Sequence, residues 1–120
     1  MLNILCLATF TTLLAIGQLL FKKAGLTMRG QPFIDGAYAV ATSPAFYLAL
    51  ALYGISTALW IWILSRVSLS FAYPWVGVGV ILVPLLAGLV YGERVNMIYW
   101  VGAIFVTVGI VLTQYGTSSL

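Results

Sequence analysis

The residues best suited to chemistry lie in the first apolar stretch of the chain, where they form one small and polar stripe. The stripe consists of Ala8, Thr11, Ala15, Gln18 and Lys22. Spacings of three and four residues place side chains on one face of a helix. A hydroxyl, an amide and an ammonium group in this order can hydrogen-bond a polar ligand and attract an anion.

Two interpretations of Gln18 stay open. In the first, its amide hydrogen-bonds a neighbouring helix and holds the two helices together. In the second, it faces a polar cavity and touches a substrate or a partner. Lys22 and the adjacent Lys23 are expected at the membrane interface, because the long side chains of helix-end lysines reach the headgroups.

Aromatic side chains supply a second set of candidates. Tyr73 and Trp75 flank Pro74 at the entrance to an apolar stretch, and Trp60 lies near the end of the preceding one. An indole near a helix end is typical of the aromatic belt at the headgroup level, and stacking on a substrate is the alternative for Trp60. The predicted substrate-binding residues are Thr11, Gln18, Lys22, Lys23, Trp60, Tyr73 and Trp75.

The composition argues against metal catalysis and against a disulfide or metal framework. The 120 residues include no histidine, two acids (Asp35 and Glu93) and one cysteine, Cys6. A metal site needs several such ligands, and a lone cysteine gives no disulfide framework. The few basic residues lie at predicted helix ends rather than on one face, which argues against nucleic-acid binding. We expect no catalytic residue, no cofactor, no bound metal and no enzyme activity.

The elements that carry these residues are predicted to be membrane helices. Hydrophobic residues make up 63% of the chain and charged residues 6%, whereas soluble domains carry about a quarter charged residues. The charge-free blocks cover residues 1–21, 36–65, 67–92 and 95–120, and about 20 apolar residues suffice to cross a bilayer.

We predict a single all-α membrane domain over residues 1–120, with four transmembrane helices. Their expected positions are near residues 3–21, 44–64, 71–91 and 98–116. The connection 22–43 is long, and residues 33–42 within it are expected to form a short interfacial helix.

The third predicted helix is the most unusual. Residues 71–92 hold 22 residues without a charge, among them Gly77, Gly79 and Pro84. Glycine costs backbone entropy and proline removes a hydrogen bond. In a membrane both are tolerated, because neighbouring helices satisfy the freed groups and small residues let backbones approach closely. We predict a kink or hinge at these three residues.

The fourth predicted helix carries Gly102, Gly109 and Gly116 at intervals of seven residues. Such a repeat keeps one helix face open to another helix. We predict a dimer contact through Gly102 and Gly109.

The distribution of basic residues predicts the orientation. Loops one and three share a side and carry Lys22, Lys23, Arg29 and Arg94, whereas loop two carries Arg66. Because cytoplasmic loops are richer in Lys and Arg, we expect both termini to face out. Insertion in both orientations is the alternative for so few charges.

Three stretches resemble the small multidrug resistance group of the drug/metabolite transporter superfamily, which also contains the EamA-type proteins. They are GQLLFKKAG, LSRVSLSFAYPWVGVGV and YGERVNMIYWVGAIFVTVGIVL. The Gly-Gln-x-x-x-Lys-x-Ala of residues 17–24 and the Ala-Tyr-Pro of residues 72–74 are similar to one branch of that group. This branch supplies the four-helix subunits implicated in flipping undecaprenyl phosphate-linked aminoarabinose.

The resemblance implies antiparallel dimers in the bacterial inner membrane, with one substrate path between protomers and exchange of inward- and outward-open forms. It implies a hinge at Gly77 and Gly79 and a dimer contact at Gly102 and Gly109. The partner is a second copy or a related four-helix subunit. Membrane lipids and an anionic lipid-linked substrate are the other expected partners.

One departure from the resemblance decides between functions. Drug-exporting members carry a glutamate three residues before the glycine that corresponds to Gly17, and Leu14 occupies that position here. An intramembrane carboxylate binds a hydrophobic cation and exchanges it for protons. Its absence from residues 1–21 disfavours proton-coupled drug export.

Three functions follow. The preferred one is a flippase that moves a polyprenyl-phosphate sugar or a similar anionic lipid by alternating access. Lys22 and Lys23, which we call the lysine rim, would attract its headgroup. The second is an exporter of small polar or cationic compounds of the small multidrug resistance type. The third is a non-transporting membrane scaffold for an envelope glycosyltransferase.

Overall fold

The computed structural model describes residues 1–117, and all regular structure within that range is helical. Four helical segments of 21 to 25 residues are apolar enough to cross a membrane, and that length matches a hydrocarbon core of about 30 Å. They are Leu2–Leu26, Pro44–Leu64, Leu69–Tyr91 and Met97–Thr117. The prediction of an all-α protein with four transmembrane helices is confirmed.

The elements are numbered in chain order. They are α1 (Leu2–Leu26), α2 (Phe33–Ala41), α3 (Pro44–Leu64), α4 (Leu69–Ala72), a 3-10 segment (Tyr73–Val78), α5 (Gly79–Tyr91) and α6 (Met97–Thr117). Helix α1 continues past the expected end at residue 21, so Lys22 and Lys23 lie inside it. Lysine is a good helix former, and the first residue after the helix with a left-handed conformation is Gly30, whose φ is +77°.

Helix α2 lies in the long connection between the first two spans. Pro32 precedes it, and Asp35 is in its first turn, where a carboxylate favours the positive end of the helix dipole. Gly36 lies against the Met28 side chain: a Cβ there would be 3.1 Å from Met28 Cε. Phe33 and Tyr38 remain exposed, as on a helix that rests in a membrane interface.

Helix α1 is the central element of the fold and packs chiefly against α3 and α5. A buried hydrophobic cluster lies near its first half and contains Leu7, Phe10, Ile63 and Ala72. Phe10 stacks on Trp60, with ring centroids 4.6 Å apart. Because most of the surface of a membrane helix faces lipid, few side chains need to be fully buried within the chain.

The third span is divided rather than continuous. Its first turn, α4, is capped by Ser68, whose Oγ accepts a hydrogen bond from the Phe71 N–H at 3.2 Å. The 3-10 segment then begins at Tyr73, earlier than the glycines at which the sequence predicted a kink. Pro74 explains the position, because it has no N–H for the Ser70 carbonyl and its ring opposes a regular α-helix. A hinge at Gly77, Gly79 and Pro84 stays a prediction.

Helix α6 packs mainly on the 3-10 segment, and less on α4 and α5. The close approach is at Gly77, where a Cβ would be 3.0 Å from Ile110 Cδ1. Because α6 meets α5 less closely than it meets the 3-10 segment, a cavity remains beside α5.

Candidate functional site

A cavity of about 380 Å³ lies between α1 and the third span, with one residue from α6. Helix α1 contributes Thr11, Leu14, Ala15 and Gln18, which repeat the helical spacing of the polar stripe. The 3-10 segment and α5 contribute Val76, Gly79, Val80, Val83 and Pro84, and α6 contributes Tyr99. None of these lining residues is charged.

Gln18 lies in the wall of this cavity and also contacts α3. Its Nε2 donates to the Tyr53 hydroxyl at 2.5 Å. The Tyr53 ring lies directly over Gly17, where a Cβ would be only 2.6 Å from the ring. Gly17 is therefore required for the approach of α1 and α3 that lets Gln18 reach Tyr53. The helix contact and the cavity position proposed for Gln18 coexist in one side chain.

The Thr11 hydroxyl hydrogen-bonds to the backbone. Its Oγ1 donates to the Leu7 carbonyl at 2.8 Å, within the same helix, and the Trp75 carbonyl lies 3.4 Å away. The hydroxyl oxygen retains acceptor capacity. Thr11 thus links α1 to the 3-10 segment beside the cavity.

Leu14 lines the cavity at the position where drug exporters carry a glutamate. Within the described part of the chain, the wall offers hydroxyl, amide and backbone groups but no carboxylate. Such a surface can hydrogen-bond a neutral or anionic headgroup, and it gives a lipophilic cation no counter-charge.

The lysine rim lies one helical turn beyond Gln18. The Nζ of Lys22 is 3.4 Å from Oε1 of Glu93, and both side chains are about half exposed, at 44% and 49%. Glu93 follows Gly92, which ends α5 in the left-handed conformation with φ +68°. The ion pair therefore joins the ends of the two helices that wall the cavity. It partly neutralises Lys22, and the adjacent Lys23 is also exposed.

Tyr99 is the contribution of α6 to the cavity. Its hydroxyl donates to the Val80 carbonyl at 2.6 Å. In an α-helix that carbonyl would accept from the N–H of residue 84, but Pro84 has none. Tyr99 thus provides the Val80 carbonyl with the hydrogen-bond donor that α5 cannot supply.

Two of the predicted site residues lie on a different surface. Trp60 and Tyr73 line a separate groove of about 520 Å³ together with Leu69, Ser70 and Pro74. Tyr73 is 63% exposed, and Trp60 stacks on Phe10. The structure does not bring these two aromatic residues to the cavity that Thr11 and Gln18 line.

Trp75 uses its polar atom inside the fold. The indole Nε1–H donates to Oε1 of Gln114 at 2.9 Å, and Nε2 of Gln114 donates to the Phe71 carbonyl at 3.0 Å. These bonds join α6 to the third span next to Pro74. A role for Trp75 in substrate binding would require the Gln114 bond to open.

The glycines of α6 face away from the rest of the chain. A Cβ added at Gly102 or Gly109 would meet nothing within 4 Å. This geometry leaves the face open for another helix, as a dimer contact requires, and that contact stays a prediction.

Sequence reasoning missed three polar residues that shape the site: Tyr53, Tyr99 and Gln114. A signal for Tyr99 exists in the sequence, since Pro84 necessarily leaves the residue-80 carbonyl in need of a donor. Which side chain supplies the donor depends on how α6 packs, and the order of residues along the chain does not show it.

Comparison with known proteins identifies relatives over most of the chain. The chain is 35% identical over 111 residues to the probable 4-amino-4-deoxy-L-arabinose-phosphoundecaprenol flippase subunit ArnE of Pectobacterium atrosepticum, covering 92% of each protein. It is 33% identical over 104 residues to the protein of that name from Pseudomonas syringae, covering 87% of this chain and 93% of the relative. For the one from Proteus mirabilis the identity is 32% over 102 residues, with 83% and 86% covered. No family model and no solved structure matches the chain.

Proposed function

The chain belongs to the ArnE family of membrane subunits, and from that premise we propose that it moves an anionic lipid-linked sugar across the inner membrane. The substrate class is a polyprenyl phosphate that carries a sugar such as 4-amino-4-deoxy-L-arabinose, the lipid named in the descriptions of the relatives. The chain acts as one subunit of a transporter and carries out no covalent chemistry on its substrate.

The uncharged cavity is the observation that carries this proposal. Thr11 and Gln18 supply polar groups along α1, and Leu14 replaces the carboxylate that a cation exporter needs. A sugar headgroup has hydroxyl groups that can bond to such a wall. Because the cavity is flanked by helices rather than sealed, the polyprenyl tail can stay in the bilayer while the headgroup crosses.

The lysine rim supports the choice of an anionic headgroup. Basic residues next to a membrane helix attract anionic lipid by about 1 kcal/mol each. Lys23 is exposed at the end of α1, and Lys22 becomes available when the Glu93 contact opens. Lys22 lies at the end of the helix stripe that leads into the cavity, and Lys23 is the next residue.

A partner subunit completes the path in this proposal. Four helices cannot enclose a route for a sugar, and a second four-helix subunit in the opposite orientation would give an inverted repeat around a midplane site. The open glycine face of α6 supports a helix–helix contact. The partner is a second copy or a related subunit, as the word "subunit" in the relatives' names leads us to expect.

Reconstitution tests the function directly. Liposomes are loaded with undecaprenyl phosphate-aminoarabinose on the inner leaflet, with and without the purified chain and its related subunit. A membrane-impermeant amine reagent then reports sugar that has reached the outer leaflet. We expect labelling only in vesicles that contain protein, and equal labelling with and without protein would reject the proposal.

Matched variants separate this function from its alternatives. We expect Thr11→Val and Gln18→Leu to slow sugar exposure, and Thr12→Val to have no effect, because Thr12 is exposed outside the cavity. A scaffold would tolerate all three substitutions. A cation exporter would instead release protons from the purified protein when a lipophilic cation binds.

A further inference from the structure

Pro84 changes the hydrogen bonding of the cavity wall. It is the one proline inside α5, and it leaves the Val80 carbonyl without the N–H that a regular helix would supply four residues later. Val80 and Pro84 both line the cavity. The missing bond therefore leaves a strong backbone acceptor, on a residue of the cavity wall, in need of another donor.

In the structure, this acceptor is occupied by a side chain from another helix. The Tyr99 hydroxyl donates to the Val80 carbonyl at 2.6 Å, and Tyr99 itself lines the cavity. The Tyr99 hydroxyl can leave the Val80 carbonyl without breaking a helix, because the bond joins a side chain to the backbone of a neighbouring element. Helix α6 otherwise packs mainly on the 3-10 segment.

We propose that the Val80 carbonyl is a binding subsite for hydrogen-bond donors of the substrate headgroup, and that Tyr99 is the internal donor which the substrate displaces. The groups accepted there are sugar hydroxyls and amines. This inference rests on the proposed function and specifies the Val80 carbonyl oxygen as the atom of the cavity that binds the sugar. Unwound or interrupted helices in transporters present backbone carbonyls to their ligands in the same physical way.

The exchange has a consequence for α6. When a headgroup donor bonds to the Val80 carbonyl, the Tyr99 hydroxyl is released. The hydrogen bond from Tyr99 of α6 to Val80 of α5 is then broken. Binding of a donor-bearing headgroup thereby loosens the wall on the α6 side. A lipid phosphate without a sugar is mostly ionised at neutral pH, so it is a poor hydrogen-bond donor and leaves the Tyr99–Val80 bond intact.

The test compares four proteins: wild type, Pro84→Ala, Tyr99→Phe and the double variant. Pro44→Ala is the matched control, because Pro44 is at the first turn of α3, where a missing N–H removes no helix bond. Binding in detergent is measured for three probes: farnesyl phosphate-aminoarabinose, bare farnesyl phosphate and dodecyl glucoside. Thermal unfolding of each variant shows that the protein under test is folded.

We expect Pro84→Ala to weaken both sugar probes about fivefold, the size of one hydrogen bond, because the substitution restores a backbone N–H that can bond the Val80 carbonyl. Bare farnesyl phosphate should bind equally to both proteins. Tyr99→Phe should tighten the two sugar probes, since it removes the competing donor, and this gain should vanish in the double variant. Pro44→Ala should change nothing.

The outcomes separate this inference from the function it rests on. Equal sugar binding by wild type and Pro84→Ala would overturn the inference while leaving the flippase function intact, as would an equal loss for bare farnesyl phosphate. Binding of dodecyl glucoside but of neither phosphate probe, with the Pro84→Ala effect present, would support the subsite and reject the anionic substrate. Failure of all three probes would reject both.

Discussion

The hydroxyl of Tyr99 donates to the carbonyl of Val80 at 2.6 Å, from α6 to α5. The bond is made where Pro84 removes the helix's own donor. A second side chain of α6 also bonds the backbone of the third span, where Gln114 donates to the Phe71 carbonyl. Polar side chains of α6 thus bond backbone carbonyls at two places along the third span.

The Tyr99–Val80 bond should be measurable as a coupling in stability. Tyr99→Phe is expected to lower the free energy of unfolding by about 1–2 kcal/mol, because a carbonyl within the membrane span loses its donor. In a Pro84→Ala background the same change should cost clearly less. Unfolding by denaturant in micelles, read as a double-mutant cycle, measures the difference. Equal costs in the two backgrounds would show that Pro84 does not create the need for Tyr99.

Gly17 should be intolerant of a side chain. An alanine Cβ would be 2.6 Å from the Tyr53 ring, so Gly17→Ala must displace that ring and break the Gln18–Tyr53 bond. The expected loss is about 1–3 kcal/mol. Gly25→Ala is the matched control on the same helix, since nothing lies within 4 Å of its Cβ. Similar unfolding curves for the two variants would contradict the packing of α1 on α3.

A carboxylate at position 14 should alter the ligand preference of the cavity. Leu14→Glu places an acid among uncharged lining residues, where it gives a lipophilic cation a counter-charge. We expect tetraphenylphosphonium to bind this variant when the carboxylate is ionised and to be released as it protonates. Leu14→Gln, of nearly the same shape, should bind none. Equal cation binding by the Glu and Gln variants would show that charge is not what the wild-type cavity lacks.

The Lys22–Glu93 ion pair should regulate the charge at the rim rather than the stability of the fold. Both groups are about half exposed, and such surface pairs contribute only about 0–1 kcal/mol. Glu93→Gln should leave unfolding almost unchanged and tighten binding of farnesyl phosphate severalfold, most at low salt. Asp35→Asn is the control, because it removes the other acidic residue of the sequence, which lies in α2. A gain as large from that control would point to net charge rather than to Lys22.

The glycine face of α6 should matter for assembly and not for folding of the subunit. A Cβ at Gly109 meets nothing within 4 Å, and the same holds for Gly54 on α3. We expect Gly109→Leu to abolish the dimer seen by cross-linking in membranes, while helix content and thermal unfolding stay as in the wild type. Gly54→Leu should leave the dimer intact. Dimers that persist with a leucine at position 109 would exclude this face as the contact.

Some features of the site could be predicted because they depend on local pattern. The spacing of Thr11 and Gln18 along α1 placed them on one face, and the structure brings both to the same cavity. Leu14 shares that face, so the absence of a carboxylate there could also be inferred from the sequence. Tyr73 and Trp60 were grouped with them on chemical type alone, and the structure assigns them to another groove.

The order of residues by itself determined the membrane class, the four spans, the missing acid and the places where prolines interrupt helix hydrogen bonding, because hydropathy and backbone chemistry act locally. The tertiary structure decided which side chains of α6 bond the backbone of the third span. Tyr99 reaches Val80 from 19 residues away and Gln114 reaches Phe71 from 43 residues away. Such pairings depend on the rotation and spacing of whole helices, and helix packing in a bilayer is set by many small contacts that no short stretch of sequence contains.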